Sequence, residues 1–343
     1  MNNNTRELLN SYFSRQAELN GVAESTVATG KQFNVEPSVQ QKLETKIQES
    51  SGFLSRINMI GVDEQEGETL GLDISGPIAS RVDTEATNSK GRQTRDISTL
   101  NKESYRCEQT NYDSHITYKK LDMWAKFPDF QQRITNLLIN RAALDRITIG
   151  FNGESVAATT DLATNPLLQD VNKGWLQKYR EHANGKRVLT EGVAGTGKVT
   201  VGETGDYKSL DALAFDVINS FIDPWYQDDA SLVAIMGRDL YSDVNFKKIN
   251  KVYDPMNEQA MNTLMQTGMV GNTPVIRLPF VPTGAMFITS LQNLSIYFQT
   301  GKNRRTFVDN AKFNRLETYS SSNDSFVVED YGFGGLVENI ALV

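Results

Sequence analysis

Apolar residues spaced three and four apart recur along this chain of 343 residues, and they predict four well-marked helices. Over residues 5–20, Leu8, Leu9, Tyr12 and Phe13 share a face, with Asn4 and Glu7 spaced as a capping pair and Asn20-Gly21 as a stop. A thinner helix starts at Ser38, with Gln41 completing a capping box, carries Val39, Leu43 and Ile47, and ends at Ser50-Ser51-Gly52. Phe130, Ile134, Leu137, Leu138 and Leu144 mark the longest helix, which opens at Phe127-Pro128-Asp129 and runs to about Gly150. The clearest helix carries Leu210, Leu213, Ala214, Val217, Ile218 and Phe221 and stops before Pro224.

Other runs read as strands. Leu70, Leu72 and Ile74 alternate, Tyr112, Ile116 and Tyr118 suggest extended chain, and Leu232-Val233-Ala234-Ile235-Met236 is apolar throughout, as a strand covered on both faces would be. Val275 to Leu278, Met286 to Ile288, Leu294 to Phe298, Phe326 to Val328 and Leu336 to Val343 add more. Helices and strands interleave without a βαβ rhythm, which indicates the α+β class.

Between these runs lie three polar stretches. Residues 21–34 (GVAESTVATGKQFN) read as a flexible connection, so the first thirty-odd residues look detachable. From about 58 to 104, Gly61, Gly67, Gly71, Gly76 and Pro77 punctuate a polar segment whose middle, Asp83 to Asp96, is almost devoid of apolar residues. Such an excursion is disorder, a lid, or an arm that finds its partner on another molecule. Residues 184–208 hold Gly185, Gly192, Gly195, Gly197, Gly202 and Gly205 and read as a surface hairpin or loop.

Composition narrows the function. The length suits two domains, or one with large extensions. A net charge of −7 disfavours a protein that grips phosphate backbones. A single cysteine, Cys107, excludes an intramolecular disulfide scaffold. The start has no secretion signal, and no apolar run is long enough to span a membrane, so synthesis in the cytoplasm is expected.

Chemistry-bearing motifs are weak. Gly192-Val193-Ala194-Gly195-Thr196-Gly197-Lys198-Val199 has phosphate-loop spacing until Val199 stands where the magnesium-binding Ser or Thr belongs, with β-type residues following instead of a helix. An ordinary glycine-rich turn is the better reading. His115 and His182 lack nearby ligand partners, which disfavours zinc. Cys107 and His115 would lie roughly 26 Å apart on extended chain, so Cys107 reads as a small core residue. Met256, Met261, Met265 and Met269 read as core filling along a helix, and Asp223, Asp228 and Asp229 as an acidic group with no demonstrated convergence. Lys302, Arg304 and Arg305, with Lys312 and Arg315 nearby, form the tightest basic cluster and read as a solvated face or as inter-subunit ion-pair partners. No catalytic, cofactor or metal residues are assigned.

Whole phrases carry a stronger signal. FNVEPSVQQ from Phe33, QESSGFLSRIN from Gln48, YKKLDMWAKFPDFQQRI from Tyr118, NPLLQDVNKGWLQKYR from Asn165, GDYKSLDALAFD from Gly205, DPWYQDDASLVAIMGR from Asp223 and LPFVPTGAMFITSLQNLSIYFQTGKNRR from Leu278 resemble the major capsid proteins of the P-two-like (peduovirus) tailed bacteriophages. The resemblance spans nearly the whole chain and is weakest around 185–203. It implies the Hong Kong 97-like capsid fold, with an N-arm, an E-loop hairpin, a peripheral domain with a spine helix, and an axial domain. The corresponding expectation is an assembly segment at 1–33, N-arm 34–57, E-loop and stems 58–117, peripheral domain 118–205, axial domain 206–300, and C-terminal strands 301–343.

The same resemblance implies a non-enzymatic subunit that builds an icosahedral shell of hexamers and pentamers around double-stranded DNA held only non-specifically. Expected partners are other copies, an internal scaffold, a maturation protease and the portal protein, with no membrane, no cofactor, assembly in the host cytoplasm and residence in the virion. Removal of the amino-terminal segment is expected near Phe33-Asn34. The alternatives are a scaffold or decoration protein that remains monomeric, and a P-loop NTPase stabilised by nucleotide through Lys198.

Overall fold

Fourteen consecutive residues from Arg315 to Val328 extend as one strand, and a layer of structure is built along both of its edges. The computed structural model describes residues 1–74, 79, 81, 98–127, 129–242 and 268–343. Gly76, Pro77, the Asp83 to Asp96 excursion, Pro128, and Met256, Met261 and Met265 lie outside the described residues.

In chain order the elements are α1 (Asn3–Leu19), α2 (Glu24–Ala28), β1 (Phe33–Asn34), α3 (Pro37–Glu49), β2 (Asn58–Val62), β3 (Glu66–Ile74), β4 (Ser98–Arg106), β5 (Glu108–Asn111), β6 (Ser114–Thr117), α4 (Tyr118–Trp124), α5 (Phe130–Asn152), α6 (Trp175–Glu181), β7 (Val188–Leu189), β8 (Val199–Val201) and α7 (Leu210–Phe221). They continue with β9 (Leu232–Met236), β10 (Met269–Val270), β11 (Thr273–Arg277), β12 (Met286–Ser290), β13 (Leu294–Gln299), β14 (Arg304–Asn310), β15 (Arg315–Val328), β16 (Gly334–Val337) and β17 (Ile340–Leu342).

Strands β13 and β14 follow one another along one edge of β15, from Leu294↔Val328 to Phe298↔Asp324 and then from Arg304↔Ser321 to Asn310↔Arg315. They make one long antiparallel hairpin whose tip turns at Asn314 in the left-handed region. Along the other edge of β15 run β5 and β6, while β1 extends the sheet beyond β14 and β2 lies parallel to β13.

The second sheet has the order β10-β11-β9-β12-β16-β7. Its central strands are buried on both faces, which is why β9 reads as an unbroken apolar run. Leu232, Ala234, Met236, Met286, Ile288 and Val337 meet Leu213, Ala214 and Val217 of α7. Val233, Ile235, Phe287 and Leu336 meet Ile147 and Phe151 of α5 and Trp175 and Tyr179 of α6 on the opposite side. At about 1.5–3 kcal/mol for each fully buried large apolar side chain, this double-sided layer is a major source of stability.

Crossing of α5 and α6 depends on a glycine. A Cβ on Gly150 would fall 2.2 Å from the Trp175 ring, so only a bare backbone lets the indole lie against the helix. The indole N–H then donates to the Ser295 carbonyl at 3.1 Å and ties α6 to β13.

Several local expectations are corrected. The capping box at Ser38 and Gln41 does not form; α3 begins one residue earlier with Pro37 in its first turn, where the missing N–H has no intrahelical use. The stretch 21–34 is structured, containing α2 and β1. On α5 the buried stripe is Ile139, Ala143 and Ile147, whereas Leu137 and Leu144 face outward. Helices α4 and α6 and the basic, polar strand β14 had no clear apolar signature in the sequence.

Candidate functional site

Strands β3 and β4 form a ribbon of nine cross-strand pairs, Glu66↔Arg106 to Ile74↔Ser98, that joins no other described strand. At about 3.3 Å per residue the ribbon is roughly 30 Å long. A two-stranded ribbon alone is marginally stable in water. Its base is secured twice: β4 passes through Cys107 into β5, which pairs with β15, and the Tyr105 ring packs edge-on against Tyr297 at 5.1 Å. Tyr105 lies across Gly67, where a Cβ would come within 2.6 Å of its hydroxyl.

The amino-terminal residues pack onto the first sheet. Leu9, Tyr12, Phe13, Ala17, Val27 and Phe33 share one core with Ile116, Leu121, Ile134, Phe307 and Leu316. The two residues expected to flank a cleavage, Phe33 and Asn34, form β1 opposite Arg305 and Arg304, with Phe33 buried and Asn34 exposed. Just ahead of them, Lys31 and Gln32 are exposed and outside regular structure.

Under α5 the sheet face is unusually polar. Arg146 is buried and its guanidinium serves two buried carboxylates, Glu44 of α3 and Asp324 of β15. Asp324 accepts from Arg146 Nη2 at 3.2 Å, from the Tyr112 hydroxyl at 3.1 Å and from Ser322 Oγ at 2.9 Å. Burial raises the affinity of Glu44 for its proton, against the pull of Arg146. Burial, and then the charge of Asp324, likewise raise the Tyr112 phenol, so that it stays a donor. Beside this cluster lies a cavity of about 340 Å³ lined by residues of α1, α3, α5 and the sheet. Among the described residues, Ser114 Oγ, Asn303 Oδ1 and Arg305 Nε border it with no protein hydrogen-bond partner, the kind of site where ordered water belongs.

The glycine-rich loop is closed to phosphate by its own chain. The backbone N–H groups of Gly195 and Gly197 donate to Glu191 Oε2 at 2.9 and 3.2 Å, and Thr200 is engaged by Asp206. A strand, β8, follows the loop where a phosphate site needs a helix. His182 stacks on Tyr331, and His115 sits exposed opposite Glu317. Cys107 is fully buried, and burial pushes its thiol up to about 12, which keeps it unreactive. Asp223 pairs with Arg187, whereas Asp229 caps the Ser231 N–H. The basic cluster is split: Arg304 and Arg305 open β14, and Lys312 and Arg315 flank the Phe313 ring at its far end.

Among the described residues, the β3/β4 ribbon joins no third strand, and a buried ion cluster ties α3, α5 and β15 together. The family model described as phage major capsid protein, P2 family, matches residues 8–340. A relative described as capsid proteins of Escherichia phage P2 is 46% identical over 345 residues, spanning 99% of this chain and 95% of that one. A chain of the satellite phage P4 procapsid, solved with its size determination (Sid) protein, superposes with a TM-score of 0.80 at 43% identity, covering 100% of this chain and 99% of that one. A capsid chain of an empty GTA particle matches at a TM-score of 0.53 and 13% identity over 85% of this chain and 90% of its own, which extends the fold alone. This is a shell-forming subunit of the Hong Kong 97-like capsid fold. The chain belongs to the P2 family of phage major capsid proteins and is a component of the virion.

Proposed function

We propose that the chain closes, as hexamers and pentamers, into the icosahedral head shell of a tailed phage around double-stranded DNA. The observation that carries the detail is the β3/β4 ribbon: nine residue pairs that join no other described strand gain stability when laid on a neighbouring copy. Residues 58–117 then act as the arm and its stems, 34–57 as the N-arm, 118–205 as the peripheral domain with α5 as its spine, 206–300 as the axial domain, and 301–343 as returning strands.

Heterologous contacts of this kind form closed rings and, with small adjustments, the packing around them. A net charge of −7 suits a container that must let packaged DNA slide. Assembly takes place in the host cytoplasm on an internal scaffold, with the portal protein at one vertex. A maturation protease then removes the amino-terminal segment close to Phe33-Asn34. Exposed Lys31 and Gln32 support a cut just ahead of β1, because Phe33 is buried and paired.

Expression of the full chain with and without its scaffold, followed by negative-stain electron microscopy, tests the reading. Closed shells of uniform diameter are expected, and persistent monomers under both conditions would overturn it. Intact Met1 in the shell subunit of mature particles, read by mass spectrometry, would overturn the cleavage.

A further inference from the structure

Residues 1–32 are joined to the remainder by a short exposed link, yet their contacts with it are those of a folded core. Leu9 and Val27 are wholly buried, and Tyr12, Phe13 and Ala17 nearly so. Their seat is built from β6, α4, α5, β14 and β15 through Ile116, Leu121, Ile134, Phe307 and Leu316. Tyr12 and Phe13 meet the Phe307 ring at 5.7 and 5.6 Å, and Tyr12 is also hydrogen-bonded to Thr135 of α5.

Polar contacts at both ends of α1 fix its register. Asp122 of α4 accepts from the Asn2 N–H at 2.9 Å and from the Thr5 hydroxyl at 2.7 Å, and Arg6 pairs with Asp309. At the far end Asn20 Oδ1 accepts from the Glu36 N–H at 3.2 Å. Within the segment, Ser14 of α1 bonds Glu24 of α2, and Val27 packs in the same core, so the two helices present one apolar face together.

None of these contacts runs through the backbone at Lys31-Gln32. The covalent link supplies effective concentration, while the side chains supply the recognition. We propose that residues 1–32 are a non-covalent clamp that stays seated on α4, α5 and β14 after the chain is cut behind α2. In the virion this rests on the proposed cleavage ahead of β1; the docking itself does not. The severed segment then continues to cover Phe307, Leu316 and Ile134, which would otherwise form an exposed apolar patch.

A recognition sequence for a specific protease, inserted between Lys31 and Gln32 of the full chain, allows the cut to be made in folded protein. Completeness is checked on a denaturing gel, and the native product is passed over a size-exclusion column at about 1 μM. Co-elution of the fragment with the body in near-equal amounts is expected, which requires a Kd below about 0.1 μM. Phe13→Ala should release the fragment after cutting while leaving the uncut chain's elution unchanged. Should that variant fail to fold, Thr5→Val with Arg6→Ala should weaken retention at least about fivefold. A wild-type fragment that elutes alone overturns the clamp. Intact Met1 in mature shells would remove the natural cut and leave the column result standing, so the two ideas fail separately.

Discussion

Arg146 is enclosed by protein and shared between two carboxylates that are not equally supported. Asp324 accepts from the guanidinium, Tyr112 and Ser322, whereas among the described residues Glu44 is bonded to Arg146 alone. Burial makes Glu44 the member that holds a proton more tightly in the folded chain than in the unfolded one. Its contribution to stability is therefore complete below the ordinary value of 4.5 and declines as pH rises through the raised folded value. Glu44→Gln should flatten the pH dependence of urea denaturation above pH 4.5 and be no less stable than wild type at the upper end. A loss of several kcal/mol there would contradict this. Arg146→Leu, in contrast, leaves two buried carboxylates facing one another and should lower stability by about 3–5 kcal/mol. The sequence held a clue to this cluster: Ile139, Ala143, Arg146 and Gly150 fall on one helical stripe, and a charge in such a stripe calls for a buried partner. The more apolar row of Leu137, Leu138 and Leu144 hid it, although Leu137 and Leu144 face outward.

At the scale of elements, legibility followed how each was buried. Helix α7 and strand β9 were plain because one has a single core face and the other is covered on both sides. Strand β14 was invisible because pairing with β15 and β1, not apolar alternation, holds it extended, and its Arg304-Arg305 start read as a charge cluster. Helix α2 is only five residues long and depends on tertiary contact through Val27, so a polar, glycine-flanked sequence disguised it as a linker. The base of the β3/β4 arm relies on the fit of Tyr105 over Gly67. Gly67→Val should displace that ring from Tyr297 and misdirect the arm. The expected outcome is a subunit with nearly unchanged thermal unfolding, since the two larger sheets keep their strand pairing, but with a large drop in closed shells counted by electron microscopy. Normal shell yield would show that the arm's base tolerates a side chain.

For the whole molecule, the resemblance of long phrases to a capsid family located the fold and function that no single motif carried. The phosphate-loop spacing was the misleading signal, because spacing does not reveal that Glu191 already occupies the loop's N–H groups. Magnesium ATP should therefore shift the unfolding temperature by less than about 1 °C, and Lys198→Ala should behave as wild type; saturable stabilisation lost in that variant would restore the nucleotide reading. In the proposed function the fold works by placing its β3/β4 ribbon on another copy. A cryo-electron-microscopy reconstruction of shells formed by the full chain tests it most directly. Closed icosahedral particles are expected, in which the β3/β4 ribbon of each subunit lies against a neighbour's surface. Particles whose ribbons contact only their own subunit, or a chain that stays monomeric with its scaffold present, would contradict it.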